Sequence, residues 1–200
     1  MIGIAFDHDE ATTIVIPSDA LVGDAGDWAR AAAHRLAGSH SFESTDIDAL
    51  ARALERAQRG AAGDAATNLL LFDPLTGSFA PVRMTLLDRG LDAGEQRRYL
   101  SPASLVKPRL RAHTSAGLGA GFSATSLDQA DSATVRWLHL PGGRAFFTVL
   151  GPVRPHAVMT SAVLLEDILD TVRFEGLAAG DAAAFDDGLL AGSDDEVWRS

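Results

Sequence analysis

The spacing of apolar and polar residues changes several times along the first third of the chain. Two β-rich runs, "IGIAF" and "TTIVI", flank the polar stretch "DHDEA", which predicts an N-terminal hairpin of strands over 2–6 and 12–16. Apolar residues then recur at helical spacing, which predicts one helix that opens at Asp24 and ends at Gly38, and a second that starts at Thr45 and ends just before Gly60. The acidic residues near the start of each segment favour these helix boundaries.

The rest of the chain alternates between strand signals and one long apolar helix. The run "NLLLFDPLTGSFAPVRMTLL" predicts a strand, a turn and a strand over 68–87, whereas 88–104 shows no clear period. The run "TVRWLHLPGGRAFFTVLG" predicts a hairpin over 134–151. A broad apolar stripe over 156–172 predicts a helix packed on a sheet.

Together these elements define the expected fold class. Consecutive strands joined by short turns pair antiparallel, so we expect an α+β fold with a single antiparallel sheet of about six to eight strands. The two helices of the N-terminal half and the one C-terminal helix would pack on this sheet. We expect one domain over 1–176, followed by an acidic, Ala/Gly/Asp-rich tail over 177–200 with a turn near 182–185 and Trp198 as a possible anchor.

Three glycines alternate in "TSAGLGAGFSATS", at Gly117, Gly119 and Gly121. A phosphate loop needs a helix that opens directly after the glycines, and no amphipathic helix follows here. We therefore interpret this stretch as a strand whose bare face lets a helix or a ring approach closely.

Composition excludes several classes of function. The chain has no cysteine, so disulfides, thiolate catalysis and Cys-based metal sites are excluded. The net charge of −10 argues against nucleic-acid binding, and no apolar run is long enough to span a membrane. The N-terminus lacks the basic region of a signal peptide, which predicts a cytoplasmic protein. No cofactor and no metal are predicted.

The middle of the chain is locally basic, with seven basic residues against three acidic ones over 80–115. Arg109, Arg111 and His113 alternate along one predicted strand, so they would share one face, and Pro108 places the start of that strand at a sheet edge. The candidate binding residues on this basic face are Arg83, Arg109, Arg111, His113 and Arg136. Guanidinium groups bind carboxylates and phosphates, so the expected partner is an acidic protein or a small anion, and the favoured function is a non-enzymatic accessory or protein-interaction module. Alternatively, the acidic tail or the helices neutralise this face.

A small hydrolase or transferase is a second hypothesis. Ser104 and Lys107 match the S-x-x-K nucleophile motif, although Pro108 forbids the helix on which that motif depends. His113 and His139 lie on predicted strands and could meet across the sheet. With Ser123 or Asp128 they could form a nucleophile and its base.

Two acidic clusters have simpler interpretations. The residues of "DHDE", 7–10, could bind a metal weakly, but a solvated turn accounts for them. Glu166, Asp167 and Asp170 are expected on the solvated face of the last helix. A third hypothesis for the whole chain is a structural subunit of a homo-oligomer that associates through the β-edge near Pro108.

The C-terminal part of the domain resembles PsbP/Mog1-like domains. The resemblance rests on "AFFTVLGPVRPHAVMTSAVLLEDILDTVRFEG" and its ending Ile168-Leu169-Asp170-Thr171-Val172-Arg173-Phe174, and on the opening hairpin that leads into "IVIP". It covers about a quarter of the chain, and it implies an antiparallel sheet flanked by helices that serves as a protein-binding or accessory module. It carries over no catalytic residue.

Overall fold

A computed structural model describes residues 4–19, 24–102, 107–128, 131–181 and 184–190. The strands are β1 (Ile4–Ala5), β2 (Thr13–Ile16), β3 (Thr67–Asp73), β4 (Ser78–Leu87), β5 (Arg109–Ser115), β6 (Gly119–Asp128), β7 (Ser132–His139), β8 (Ala145–Val153) and β9 (Arg173–Phe174). The helices are α1 (Ala25–Ser39), α2 (Ser44–Ala61), α3 (Ala93–Leu100), α4 (Val158–Thr171) and α5 (Asp187–Leu190). None of the helices in these ranges is long and apolar enough to cross a membrane.

The predicted α+β class is confirmed. Seven strands form one sheet in the order β2-β3-β4-β8-β7-β6-β5, and every neighbouring pair is antiparallel. β1 and β9 form a separate two-stranded antiparallel sheet. The hairpins β3–β4 and β7–β8 lie where the alternating runs predict them.

Helices cover both faces of the large sheet. On one face, α4 contributes Leu165 and Leu169 to a core that includes Trp137 and Phe146. On the other face, α1 and α2 cover the β2–β3 end, and α3 covers the β6–β7 end. Each strand therefore has one row of side chains toward α4 and one row toward the other helices.

The predicted N-terminal hairpin is wrong. β1 pairs with β9, whereas β2 pairs with β3, so the two runs belong to different sheets. The backbone N–H of Asp7 donates to Thr171 Oγ1 over 2.9 Å, which fixes the first run beside the end of α4. Ile4 and Phe6 pack on the core that contains Phe174. Burial against the end of α4 therefore outweighs the local signal for a turn.

Both N-terminal helices are confirmed, with ends within about two residues of the expected ones. Asp24 caps α1, because its side chain accepts a hydrogen bond from the N–H of Gly26. The apolar stripe of α2 buries Leu50, Ala51 and Leu54 against α1 and the sheet. Helix α2 continues through Gly60 to Ala61.

Helix α3 lies in the stretch that has no clear hydrophobic period. It is only eight residues long and is fixed by a capping box, in which Asp92 and Glu95 each bond to the other's backbone N–H. The D-x-x-E spacing was present in the sequence. A helix of about two turns shows too few apolar repeats for its period to be seen.

Part of the predicted tail packs on the domain. Phe185 and Leu189 are buried beside α3 and Phe122, and Gly180 forms a parallel bridge with Gly119. The side chain of Gln96 binds the backbone at Ala184 and Asp186. The described part of 177–190 therefore extends the hydrophobic core. Trp198 lies outside the described residues.

Candidate functional site

β5 forms one edge of the seven-stranded sheet, as the position of Pro108 predicts. Within the described residues, β6 is the only strand that pairs with it. Arg109 and Arg111 are exposed, and His113 is buried on the same side of the strand. The edge thus presents the guanidinium groups of Arg109 and Arg111. They lie next to the backbone of β5, which pairs with a strand on one side.

Arg83 and Arg136 do not join this surface, so their predicted proximity to Arg109 and Arg111 is wrong. The register places Arg111 opposite Ser123 and Ser123 opposite Trp137, which faces α4. Arg83 and Arg136 both pair with Val149 of β8, which is the residue after Thr148, the partner of Trp137. Because successive side chains of a strand alternate between faces, both arginines lie on the face opposite Arg111.

Both of these arginines have local partners. Arg83 forms an ion pair with Asp64 at 2.8 Å, and Arg136 Nη1 donates to Ser126 Oγ over 3.1 Å. Whether side chains of two different strands lie on the same face depends on which residues pair. The sequence of one strand does not contain that information.

The two histidines predicted to meet across the sheet do meet. His113 Nδ1 lies 3.1 Å from His139 Nε2, and the ring centroids are 5.3 Å apart at 76°. Their strands are not neighbours, because β6 runs between them. Gly121 pairs with His113 on one side and with His139 on the other.

Gly121 makes this contact possible. A Cβ at this position would lie 2.4 Å from Cδ2 of His139 and 2.7 Å from the carbonyl oxygen of Leu138. Equivalent Cβ atoms at Gly117 and Gly119 would lie 2.2 Å and 2.3 Å from the backbone oxygens of Val172 and Gly180, respectively. The alternating glycines therefore act through close packing, as the strand interpretation predicts, although Gly117 lies in the turn before β6.

Glu166 of α4 closes the site on its outer side. Its Oε1 atom lies 3.3 Å from Trp137 Nε1, which donates to it, and 3.7 Å from His113 Nε2. Its Oε2 atom lies 4.0 Å from Arg111 Nη2. The expectation that Glu166 belongs to the solvated face of the helix is wrong, because the carboxylate turns toward the sheet edge.

The other two carboxylates of α4 have different environments. Asp170 is exposed and accepts a hydrogen bond from the N–H of Ala116 over 2.9 Å, so it holds the β5–β6 turn. Asp167 is exposed and lies beside the N-terminal acidic turn. Only Glu166 contacts the histidine pair.

The environment of the pair favours the neutral form of both imidazoles, because it lowers the pKa of each. Burial, and to a smaller extent the neighbouring His113, lowers the pKa of His139 to about 3. Burial also lowers the pKa of His113, although Glu166 and Asp170 act in the opposite direction. Each neutral ring carries one N–H and one unprotonated nitrogen, so in this contact one ring donates and the other accepts. His139 Nδ1 is buried and has no hydrogen-bond partner within the described residues.

The remaining groups needed for nucleophilic catalysis are not assembled here. Ser123 is buried, and within the described residues no hydrogen bond joins its hydroxyl to either imidazole. Asp128 ends β6, seven residues beyond Gly121, which is about 23 Å along a strand. Lys107 is exposed in the irregular segment before β5, and Ser104 lies outside the described residues.

The residues of "DHDE" lie in the irregular segment that joins β1 to β2. Asp7, His8 and Asp9 line a surface hollow of about 400 Å³ together with Asp167. In the described part of the chain, no group of three or more His, Asp or Glu side chains has the arrangement of a metal site.

Comparison with known proteins found no match, since no family model, no curated protein and no solved structure is significantly similar to this chain. The resemblance to PsbP/Mog1-like domains stays a prediction. The site is therefore interpreted from its own geometry.

The sequence contained some of the signals for this site. Alternation along β5 identified Arg109, Arg111 and His113, and strand periodicity suggested that His113 could meet His139. The contacts of Glu166 and Trp137 were missed, because a helical carboxylate beside Asp167 and Asp170 is typical of a solvated face. Only the crossing of α4 over the sheet turns Glu166 toward β5.

Proposed function

We propose that this chain is an accessory protein-interaction module that binds an extended acidic segment of a partner along the β5 edge. The observation that carries this proposal is the edge position of β5 combined with its exposed Arg109 and Arg111. An exposed edge strand offers backbone N–H and C=O groups to an added strand. The alternate arginines offer charge-assisted hydrogen bonds to carboxylates of that strand.

The length and rigidity of β5 support this mode of binding. The strand has seven residues, enough to align an added segment over about 23 Å. Ser115 Oγ donates to the carbonyl oxygen of Leu169 over 2.7 Å, which ties the end of β5 to α4. His113, two residues before Ser115 on β5, contacts His139 of β7. A strand held at two points loses little conformational freedom on binding.

Glu166 limits the charge of this surface without removing it. It lies 4.0 Å from Arg111, at the outer limit of an ion pair, and the Arg111 side chain is 66% exposed. An exposed pair at this distance is worth less than about 1 kcal/mol. A carboxylate of the partner can therefore compete with Glu166 for Arg111.

The enzymatic alternative has less support. Nucleophilic catalysis needs a hydroxyl hydrogen-bonded to its base, and neither His113 nor His139 has such a partner among the described residues. The buried histidine pair instead serves to lock β5 against the sheet.

A defined peptide tests the proposal. The probe is a fluorescein-labelled peptide in which glutamate alternates with threonine and valine, and its affinity is read by fluorescence anisotropy. We expect the double variant Arg109→Glu/Arg111→Glu to weaken binding roughly tenfold or more. Arg83→Glu is the matched control, because Arg83 is an exposed arginine on the opposite face. Equal losses in the two variants would overturn the proposal.

A second peptide separates strand addition from charge alone. Alternate N-methylation along one edge keeps every charge but blocks the backbone pairing, so this peptide should bind poorly. Equal affinity for both peptides would contradict strand addition. Displacement of the unmodified peptide by millimolar inorganic phosphate would identify a small-anion site instead. A dimer in native mass spectrometry that Arg109→Glu/Arg111→Glu dissociates would show that a second copy occupies the edge.

A further inference from the structure

An apolar groove lies on the outer side of α4, away from the β5 edge. Leu75, in the turn between β3 and β4, is 83% exposed, and Met159 and Val163 of α4 are 72% and 55% exposed. With Leu164 they line a groove of about 300 Å³. Met159 and Val163 are one helical turn apart, so they share one side of α4. A contiguous exposed patch of large apolar side chains is typical of an interaction surface.

The two walls of this groove are fastened to each other. Asp73 is buried at the base, and it accepts hydrogen bonds from Thr160 Oγ1 of α4, from Thr76 Oγ1 and from the N–H of Leu75. Burial alone would raise the pKa of Asp73, but these hydrogen bonds hold it below its ordinary value. The turn that carries Leu75 is thus fixed to the helix that carries Met159, so the groove is formed before any partner binds.

The groove adjoins the acidic hollow at Leu164 of α4. Leu164 lines both depressions, and the hollow is also lined by Asp7, Asp9 and Asp167. No lysine or arginine is among the described residues that line the hollow. None of these three carboxylates forms an ion pair within the described part of the chain.

We propose that the groove and the acidic hollow together bind a basic amphipathic helix of a partner protein, with its apolar side chains on Met159 and Val163 and its lysines or arginines in the hollow. This surface is distinct from the β5 edge, and the inference does not depend on the function proposed there. Helices that bind in grooves place apolar anchors at i, i+3, i+4 and i+7. Because the hollow is acidic, the residues of the partner helix that flank its apolar anchors should be positively charged.

Charge and shape favour this occupant over others. A two-fold contact with a second copy would bring two acidic hollows of the same sign to one interface, in a chain of net charge −10. The anionic surface of a membrane would be repelled in the same way. The groove walls are too exposed to enclose a small molecule, whereas a helix would cover both Leu75 and Met159.

A pair of designed peptides tests the inference. One is a short helical peptide with leucines at i, i+3, i+4 and i+7 and lysines elsewhere, and the other has glutamates in place of the lysines. We expect the lysine peptide to bind and the glutamate peptide not to bind, as measured by fluorescence anisotropy. Absence of binding by the lysine peptide at about 0.1 mM would overturn the inference.

The apolar contribution is tested with Val163→Asp, which we expect to weaken the lysine peptide roughly tenfold. Leu127→Asp is the matched control, because Leu127 is 53% exposed on β6, outside the groove. Both positions are exposed, so neither variant should alter folding. Equal effects of the two variants would overturn the inference. A dimer that Val163→Asp dissociates would also overturn it and would identify a second copy as the occupant.

The charge contribution needs its own control, because a basic peptide is attracted to any acidic protein. Asp7→Asn/Asp167→Asn should weaken binding roughly threefold to tenfold and should reduce the salt dependence. Asp46→Asn/Asp48→Asn removes the same charge from the exposed side of α2 and should leave the affinity nearly unchanged. A similar loss in both variants would show non-specific attraction only and would overturn the inference.

Discussion

The two ends of the seven-stranded sheet are built from different chemistry. At the β2–β3 end, α1 and α2 pack on an apolar cluster in which Phe42, Phe72 and Phe79 are in ring contact. At the β5–β6 end, the face toward α4 is polar, with His113, His139 and Glu166 in contact. The first end is stabilised by burial of apolar area. At the second end, the face toward α4 is stabilised by a few polar contacts of defined geometry, whereas Leu110 and Phe122 pack in an apolar cluster on the opposite face.

This difference affects how each end responds to change. Apolar packing is non-directional, so neighbours can adjust partly around a lost group. A buried polar contact depends on every partner, since removing one leaves the other without a hydrogen bond. We therefore expect the aromatic end to dominate global stability and the polar end to control the pH dependence and the geometry of β5.

Phe72→Ala tests the aromatic end most directly. Phe72 is 5% exposed and lies 5.0 Å from the ring centroids of both Phe42 and Phe79. Its truncation should lower the free energy of unfolding by about 3–5 kcal/mol, measured by urea denaturation. Leu75→Ala is the control, because Leu75 is 83% exposed and should change stability by less than about 0.5 kcal/mol. A loss below about 1 kcal/mol for Phe72→Ala would show that the cluster is not part of the cooperative core.

Gly121→Ala tests the close approach at the polar end. The new Cβ would overlap the His139 ring and the carbonyl oxygen of Leu138, and backbone cannot move aside as a flexible side chain can. We expect a loss of about 1–3 kcal/mol and displaced imidazole resonances of both histidines. Gly60→Ala is the control, because nothing lies within 4 Å of a Cβ there and alanine favours the helix by about 0.5–1 kcal/mol. Unchanged stability in Gly121→Ala would contradict the packing account.

His139→Gln tests the pH dependence. The pKa of His139 is lowered to about 3 in the folded protein, so the unfolded chain takes up this proton more readily. The contribution of His139 to the free energy of unfolding is therefore complete above about pH 6.5 and decreases as the pH falls toward 3. By pH 5 this contribution is smaller by about 2 kcal/mol. The variant should remove that part of the change between pH 7 and pH 5. His34→Gln, on the exposed side of α1, should leave the change intact, and equal slopes in all three proteins would refute this assignment.

Glu166→Gln should have the smallest effect on stability. The carboxylate is partly exposed, and its contacts with Arg111 and His113 are long, so the loss should be below about 1 kcal/mol. Glu166 raises the pKa of His113 against the effect of burial. Removing its charge should lower that pKa further, which a titration followed by NMR of the imidazole measures. An increase in this pKa would contradict the geometry of the site.

Local patterns were sufficient for most of the elements. Helical spacing and Asp24 predicted α1, and the alternation around Pro141-Gly142-Gly143 predicted the β7–β8 hairpin. Both signals depend on residues within one turn or one hairpin. The capping box at Asp92 and Glu95 was equally local and would have predicted α3.

The sequence by itself determined most of the segments that become helices and strands, that the sheet is antiparallel, and that Arg109, Arg111 and His113 share one face. Tertiary structure decided that β1 leaves β2 to pair with β9, that Arg83 and Arg136 face away from β5, and that Glu166 reaches the histidine pair. Strand periodicity is a property of neighbours in the chain, and it is present in the sequence. Strand order, register and the crossing of α4 depend on contacts between distant residues, which form only when the whole core packs.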